Sequence, residues 1–389
     1  MIEAFYFFLF QAVAVNMGFM PSHLRALGLS GRQISAALAA APVLAMVAPL
    51  GWAWLADRTQ RHNRVLQVIS FGAFAGFAPL ALATGPAAGR FSLVMGAYLT
   101  YAAFFVAMGG MVDALAVARV RAGAIYGRIR QWGSIGYVLG ALGVGGALAL
   151  TGAPVSGRLP PMAVWLALGG AFLASLSVTG TGERAARPRL TDVHTLLASP
   201  ELRLTLLAGA LHWMCMSPYN VFLGVFLRDQ GLGPLATGSA YAIGVTAEAL
   251  VLLHFHRLHA RFRIDTLLAV AFAASGVRWL GTALAHAPAA LILLQIGHGM
   301  TFGMFWSAAI ALVAATVPPS LRATGQALLV IAINLGAALG NLGTGVLYDA
   351  LGPRAVFALA AAGELLPLLV ILQARRLTAG AFAQRVPSP

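Results

Sequence analysis

The stretch YGRIRQWGSIGYVLGALGVGGALAL, from Tyr126 to Leu150, places two arginines before a long apolar run. After Arg130, no charged residue follows for twenty positions. A helix rises about 1.5 Å per residue, so about 20 apolar residues cross the hydrocarbon core of a bilayer. The stretch therefore predicts a membrane-spanning helix with guanidinium groups at its mouth.

The whole chain has the same character. Hydrophobic residues make up 60% of its 389 residues, charged residues only 9%, and the mean hydropathy is +0.84. A soluble domain carries about 25% charged residues, so this chain is predicted to be an all-α integral membrane protein. The first apolar run lacks a basic n-region and a cleavage site, which predicts a retained helix. Twelve helices are predicted near 2–22, 33–55, 65–84, 91–117, 129–150, 161–180, 204–226, 237–255, 266–285, 289–315, 324–348 and 355–373.

A polar stretch at 181–203 divides the twelve predicted helices into six and six. We expect an N-terminal bundle over 1–180, a cytoplasmic linker over 181–203, and a C-terminal bundle with a short tail over 204–389. Of 25 arginines, eighteen fall in one set of alternate loops, six in the other, and Arg278 within a helix. Because arginine is enriched on the cytoplasmic side, both termini are predicted to be cytoplasmic.

The net charge of +14 does not indicate nucleic-acid binding, because topology rather than a surface patch orders the arginines. The single cysteine, Cys215, lies in an apolar run and is expected to be a packed thiol. Glycines recur on one face of the fifth helix (133, 136, 140, 143) and of the eleventh (336, 340, 343). Such stripes let helix backbones approach closely, and we expect two pseudo-symmetric halves to meet along them.

A charge within a membrane-spanning helix costs at least about 2.5 kcal/mol, so we single out five ionisable residues in the predicted helices. They are Asp113, Glu248, Arg278, His298 and Glu364. The acid, base and imidazole at 248, 278 and 298 lie on three consecutive helices, which indicates a functional network. Within it, Glu248 is the best candidate for a proton carrier, while Glu364 has no evident partner in its own segment.

Several motifs resemble one transporter family. YGRIRQWGSIGYVLG (126–140), GMVDALA (110–116), GVRWLG (276–281), LQIGHGMTFGMFW (294–306) and the stretches within 322–354 resemble the lactose-permease-like branch of the major facilitator superfamily. Within that branch, the sequence is similar to 3-phenylpropionate-type proton symporters and their MFS_1-like relatives. The resemblance covers nearly the whole chain and implies two six-helix bundles that alternate access to a central site.

The resemblance also implies residue roles. Arg130 stands at the substrate-binding arginine, Tyr137 at a ring that stacks on substrate, and Asp113 near the acidic partner. The residues at 248, 278 and 298 fall on the helices that carry proton coupling, and we expect Asp113 to contribute. Thr301 replaces a further acid of the permease, so the proton role is expected to shift to Glu248 or coupling to be lost.

The segment AWLADRTQRHNR (53–64) resembles the superfamily's gating loop, although Ala53 and Gln60 replace two glycines. Gating roles are accordingly implied for Asp57, Arg58 and Asp349. We expect Asp57 to cap a helix end and to pair with an arginine.

Helical geometry separates the two arginines of the opening stretch. Arg128 and Arg130 lie about 200° apart around the helix, so one is expected at the headgroups and the other at a cavity. Both could instead be cytoplasmic anchors. Further polar residues are predicted to line the substrate cavity: Asn16, His212, Trp213, Asn220, Gln295, Asn334 and Asn341.

The leading hypothesis is a proton-coupled symporter that imports a small organic solute, with an aromatic or other organic acid favoured. The alternatives are an oligosaccharide or nucleoside symporter, a proton-antiporting exporter, and a non-transporting sensor. The histidines at 254, 256 and 259 have ligand-like spacing, but no acid or cysteine completes a metal site. We therefore expect no enzyme activity, no metal, no cofactor and no nucleic acid. The expected partners are a small-molecule substrate, protons and lipid, and the expected form is a monomer in the bacterial inner membrane.

Overall fold

A computed structural model describes residues 1–85, 88–121, 126–179 and 190–383. This part of the chain is helical and contains twelve helices long and apolar enough to cross a membrane, which confirms the predicted fold class. The residues at 180–189 and 384–389 lie outside the described part. The predicted linker boundaries and most of the tail therefore stay predictions, although a short helix, Leu190–Leu197, precedes the second bundle.

Six helices form the N-terminal bundle. Four helix pairs form its main contacts. The helix α1 packs on α5 and α6, and α3 packs on α4 and α6. The helices are α1 Ile2–Ala26, α2 Gly31–Thr59, α3 His62–Leu82, α4 Phe91–Val117, α5 Tyr126–Thr151 and α6 Leu159–Leu176.

The C-terminal bundle repeats this plan. Here α7 packs on α11 and α12, α9 packs on α12, and α8 packs on α10. The helices are α7 Pro200–Asp229, α8 Pro234–His259, α9 Ile264–Leu284, α10 Pro288–Thr316, α11 Pro319–Leu351 and α12 Pro353–Arg376.

The predicted glycine stripes pack inside the bundles rather than between them. A side chain on Gly136 of α5 would collide with the backbone of Phe7 on α1, and one on Gly336 of α11 would collide with Ala210 on α7. The two contacts occupy matching places in the two bundles. The expectation that the halves meet along these stripes is therefore wrong, because each stripe faces its own bundle.

The bundles instead meet at the end of the molecule opposite the linker helix. There α2 packs on α11 and α5 packs on α8. Backbones approach closely where Gly31 faces Gly345 and where Gly238 faces Ala141. Arg228 of α7 also donates to the carbonyl of Ser22 on α1 at 2.8 Å. This closed end is the outer end if both termini are cytoplasmic.

Candidate functional site

A cavity of about 360 Å³ lies between the two bundles. Both bundles contribute to its wall, through α1, α2 and α4 on one side and α7 and α11 on the other. Its polar and aromatic lining consists of Asn16, Tyr98, Tyr101, Phe105, Trp213, Asn220, Asn334 and Asn341. The remaining lining residues are apolar, and none of the described lining residues is charged. Five of the predicted lining residues are therefore in place.

Two buried polar atoms of the lining have no hydrogen-bond partner among the described residues. They are the hydroxyl of Tyr101 in the N-terminal bundle and Oδ1 of Asn341 in the C-terminal bundle. By contrast, Asn16 accepts from the Tyr98 hydroxyl at 2.8 Å. An unpaired buried polar group costs about 1–3 kcal/mol, so each of these two atoms would be stabilised by a hydrogen-bond partner.

The three charged residues predicted as a network do meet in the C-terminal bundle. His298 lies between the others, with Nε2 at 3.4 Å from the Glu248 carboxylate and Nδ1 at 3.2 Å from Nη1 of Arg278. Since a guanidinium only donates, Nδ1 of His298 must accept. His298 is therefore neutral, and its Nε2–H points at Glu248.

Arg278 is only 2% exposed and is held on several sides. It donates to Gln295 at 2.6 Å and to the hydroxyl of Thr301 at 2.7 Å. Its guanidinium also lies 4.5 Å from the ring centres of Tyr219 and Trp279. Gln295 thus supports the charge cluster, and the prediction that it lines the cavity is wrong.

Aromatic rings connect this charge cluster to the cavity. Phe302 stacks on His298 with ring centres 5.3 Å apart, and Trp213 of the cavity wall lies 5.5 Å from Phe302. On the other side, Tyr219 contacts His298 at 4.8 Å, and its neighbour Asn220 lines the cavity. Direct ring contacts therefore join the cavity wall to His298.

Two π-helical turns carry these connecting residues. Pro218–Phe222 interrupts α7 and Gly299–Met304 interrupts α10. Pro218 has no N–H to donate, which removes one bond of the regular α-helical ladder. In α10, Gly299 and Gly303 lie against the α8 backbone at Ala247 and Glu248. Such turns widen the helix and often occur at functional sites.

The N-terminal bundle holds a smaller polar cluster. The Asp113 carboxylate accepts hydrogen bonds from the hydroxyls of Tyr6 and Tyr126, the latter at 3.0 Å. Arg130 forms no direct ion pair with Asp113 within the described residues, since its guanidinium lies 4.0 Å from the Phe10 ring centre. Neither Asp113 nor Arg130 lines the cavity.

The two arginines of the opening stretch differ in burial, although Arg130 does not reach the cavity as expected. Arg128 is exposed, whereas Arg130 is half-buried against Phe10. The predicted stacking ring behaves differently: Tyr137 is only 5% exposed, directs its hydroxyl towards the sulfur of Met17 at 3.6 Å, and does not line the cavity.

The predicted gating residues lie at opposite ends. Asp57 contacts His62 at 3.2 Å rather than an arginine, because the chain turns back between α2 and α3. Arg58 lies over the Trp54 ring at 5.1 Å. Asp349 of α11 reaches across to the first turn of α2 in the other bundle and accepts from the backbone N–H groups of residues 31 and 32 at 2.8 and 2.9 Å.

One buried pair was not predicted. His212, which we expected in the cavity wall, is fully buried and faces Glu364 of α12 at 2.9 Å. Adjacent residues on a helix point about 100° apart, and here Trp213 faces the cavity while His212 faces α12. Cys215 is buried as expected.

Among the described residues, no group of three or more histidine, cysteine or acidic side chains could hold a metal ion. Of the three histidines on α8, His254 is bonded to the Leu250 carbonyl of its own helix at 2.9 Å.

Known proteins resemble this chain along nearly its full length. Residues 1–359 match the family described as MFS_1 like. The maltose permease of Geobacillus stearothermophilus is 26% identical over 377 residues, which cover 95% of this chain and 92% of the permease. The probable 3-phenylpropionic acid transporter of Escherichia coli (strain K12) is 24% identical over 357 residues, which cover 89% of this chain and 90% of that transporter.

Among solved structures, the nucleoside transporter NupG superimposes with a TM-score of 0.80 over 96% of this chain and 98% of that chain. Its sequence identity is 17%, so this likeness shows the fold alone. Together with the twelve helices and the cavity between two bundles, the family match establishes that the chain belongs to the MFS_1-like family of major facilitator transporters, multi-pass membrane proteins that are not enzymes.

Proposed function

We propose that this transporter is a proton-coupled symporter that imports a neutral, hydroxyl-rich solute, an oligosaccharide or a nucleoside, by alternating access. The observation that carries the substrate class is the uncharged cavity wall, with four asparagines among its lining residues. Carboxamides donate and accept hydrogen bonds, which suits hydroxyl groups. A cavity of about 360 Å³ is within the range of small-molecule sites, about 300–1,000 Å³.

The names of two similar proteins support a neutral, hydroxyl-rich substrate. One is named a maltose permease, and a structural neighbour is named a nucleoside transporter. An organic acid, the class favoured by the sequence, is supported by the relative named for 3-phenylpropionic acid. An acid would need a cation at the cavity wall, and Arg130 lies over Phe10 instead. We therefore rank the neutral solute first.

Proton coupling is proposed for the Glu248–His298–Arg278 cluster. Protonation of Glu248 would remove the negative charge that faces Nε2–H of His298, which also stacks on Phe302. The cavity wall and the protonation state thus influence each other through one imidazole, as linkage between two sites requires. We infer that the structure represents the inward-facing state, with both termini cytoplasmic and the Asp349 contact closing the outer end.

The test uses purified protein in liposomes on a solid-supported membrane, with pulses of maltose, uridine and 3-phenylpropionate. We expect a positive inward current for a neutral solute, because a co-transported proton then carries net charge. The current should fall in Asn341→Leu and persist in Leu342→Ala, a control at an exposed neighbour on the same helix. Uptake of 3-phenylpropionate alone, without response to either neutral solute, would favour the organic-acid hypothesis instead.

A further inference from the structure

The His212–Glu364 pair lies inside the C-terminal bundle, away from the cavity. Nδ1 of His212 lies 2.9 and 3.0 Å from the two carboxylate oxygens of Glu364. Trp279 of α9 donates its indole N–H to the same carboxylate at 3.3 Å. His212 is 0% exposed and Glu364 is 2% exposed. The pair therefore joins α7, α9 and α12 where water does not reach.

The partners of His212 fix how many protons the pair holds. Nε2 of His212 lies 3.0 Å from the carbonyl oxygen of Thr301. A carbonyl only accepts, so Nε2 carries a hydrogen. At Nδ1, a hydrogen must also lie between the imidazole and Glu364, because otherwise a lone pair would face a carboxylate. The pair therefore holds one additional proton, either as imidazolium and carboxylate or as neutral imidazole and carboxylic acid.

The Glu248–His298–Arg278 cluster differs from this pair in the number of protons that it holds. There, Nδ1 of His298 accepts from Arg278, and the charges of Glu248 and Arg278 balance without an additional proton. Thr301 connects the two sets, because its hydroxyl accepts from Arg278 at 2.7 Å and its carbonyl accepts from His212. Trp279 makes a second connection, with its N–H on Glu364 and its ring face 4.5 Å from the Arg278 guanidinium.

Few other titratable groups face the pair. Cys215 of α7 lies beside Gly363, next to Glu364 in the chain. Arg278 on α9 and His298 on α10 approach it through Trp279 and Thr301. Loss of the proton would leave Glu364 as an unbalanced carboxylate near Arg278, so the charge state of the pair and the contacts of Arg278 depend on each other.

We propose that the His212–Glu364 pair is a second proton-binding site of this transporter, which holds one proton in the present conformation and exchanges it during the transport cycle. On release, Glu364 remains as carboxylate, His212 remains as neutral imidazole with hydrogen on Nε2, and the proton passes to water that reaches α7 when the bundles rearrange. Its role in transport rests on the proposed proton coupling, whereas the existence of a titrating pair does not.

The alternative is a permanent structural ion pair. Buried pairs of this kind are weak evidence for stability, since neutral replacements of both partners are often tolerated. A structural pair would keep its proton at every pH at which the protein is folded. A proton-binding site would lose it within the accessible range, and the loss is measurable without substrate.

The first experiment is a pH-difference infrared spectrum of the purified wild type, Glu364→Gln and Glu248→Gln. The range is pH about 4 to about 10, which spans the ordinary pKa values of glutamate and histidine. We expect a carboxyl or imidazolium band that changes with pH in the wild type and in Glu248→Gln and is missing in Glu364→Gln. If Glu364→Gln gives the wild-type spectrum, the pair does not titrate and the proposal is wrong.

The second experiment compares solute accumulation under a proton gradient with solute counterflow without one. We expect Glu364→Gln to lose at least about tenfold in accumulation while counterflow persists. Loss in Glu248→Gln with wild-type accumulation in Glu364→Gln would overturn the second site and leave proton coupling intact. If the wild type shows no gradient-driven accumulation, the proposed function fails and the infrared result alone decides the pair.

A single change in this pair can unfold the bundle, because it leaves one buried partner unpaired. The double variant His212→Gln/Glu364→Gln restores hydrogen-bonding partners without an ionisable group. It must show the same losses as Glu364→Gln, and a double variant with wild-type accumulation contradicts the proposal.

Discussion

Removal of the Asp349 carboxylate is predicted to open the outer end of the transporter. In the structure, Asp349 of α11 accepts from the backbone N–H of Gly31 at 2.8 Å and of Arg32 at 2.9 Å. The Arg25 guanidinium lies 3.3 Å from the same carboxylate. Ser30 caps α2 by accepting from the Gln33 N–H, and the Asp349 carboxylate of the other bundle accepts two further N–H groups of the first turn.

The magnitude follows from these contacts. Loss of a side-chain cap costs about 1 kcal/mol, and loss of a negative charge at a helix N-terminus about 0.3–1 kcal/mol. The Arg25 ion pair adds about 0.5 kcal/mol, because both side chains are about one-third exposed and solvent screens them. Asp349→Ala should therefore destabilise the closed outer end by about 2 kcal/mol, a shift of about 30-fold in the conformational equilibrium.

The assay follows a cysteine that the closed end protects. Ser35 is 0% exposed and packs on Gly345 of the other bundle, so Ser35→Cys in a Cys215→Ala background reports opening. The rate of maleimide labelling in detergent should rise about 30-fold with Asp349→Ala.

Two matched variants separate the contributions. Asp349→Asn keeps an acceptor but loses the charge, and should raise the labelling rate about fivefold. Arg25→Ala removes the partly exposed ion pair but keeps the Asp349 carboxylate, and should raise the labelling rate about twofold. An equal or larger effect of Arg25→Ala than of Asp349→Ala would refute the argument that the helix terminus is the main partner.

Three further predictions concern the site and the packing. Glu248→Gln should abolish proton-driven accumulation while leaving exchange intact, measured as uptake with and without a pH gradient; surviving accumulation would contradict the proton assignment. Asn341→Leu removes one neutral hydrogen bond of about 0.5–1.5 kcal/mol, so the half-saturating solute concentration should rise about 2- to 10-fold. The control Leu342→Ala should leave this concentration unchanged. An unchanged value in Asn341→Leu would exclude Asn341 from solute binding. Gly336→Val should lower the unfolding temperature because its side chain meets the α7 backbone, whereas Gly343→Ala, where a Cβ meets nothing within 4 Å, should not; equal effects would argue against the close contact.

The sequence predicted the charge cluster because a charged side chain is costly to place inside a bilayer. An acid, an arginine and a histidine on neighbouring apolar helices each need a partner in lipid, and few partners exist. The structure brings Glu248, Arg278 and His298 together accordingly. The same reasoning did not find a partner for Glu364, because its partner is five helices away in the chain and is a histidine expected elsewhere.

The sequence by itself determined the fold class, the number of helices and the division into two sixes. Hydropathy and length decide these features, since a predominantly apolar run of about 20 residues is long enough to cross a bilayer. It also predicted different directions for the side chains of Arg128 and Arg130, because these depend only on the rotation per residue along one helix.

The tertiary structure alone decided which side chains meet. Tyr137 points to Met17 rather than the cavity, Asp57 contacts His62, and Gly136 packs on Phe7. Each outcome depends on how a helix is rotated about its axis against its neighbours. In a membrane helix that is apolar on every side, hydropathy does not fix this rotation, and close packing between helices does.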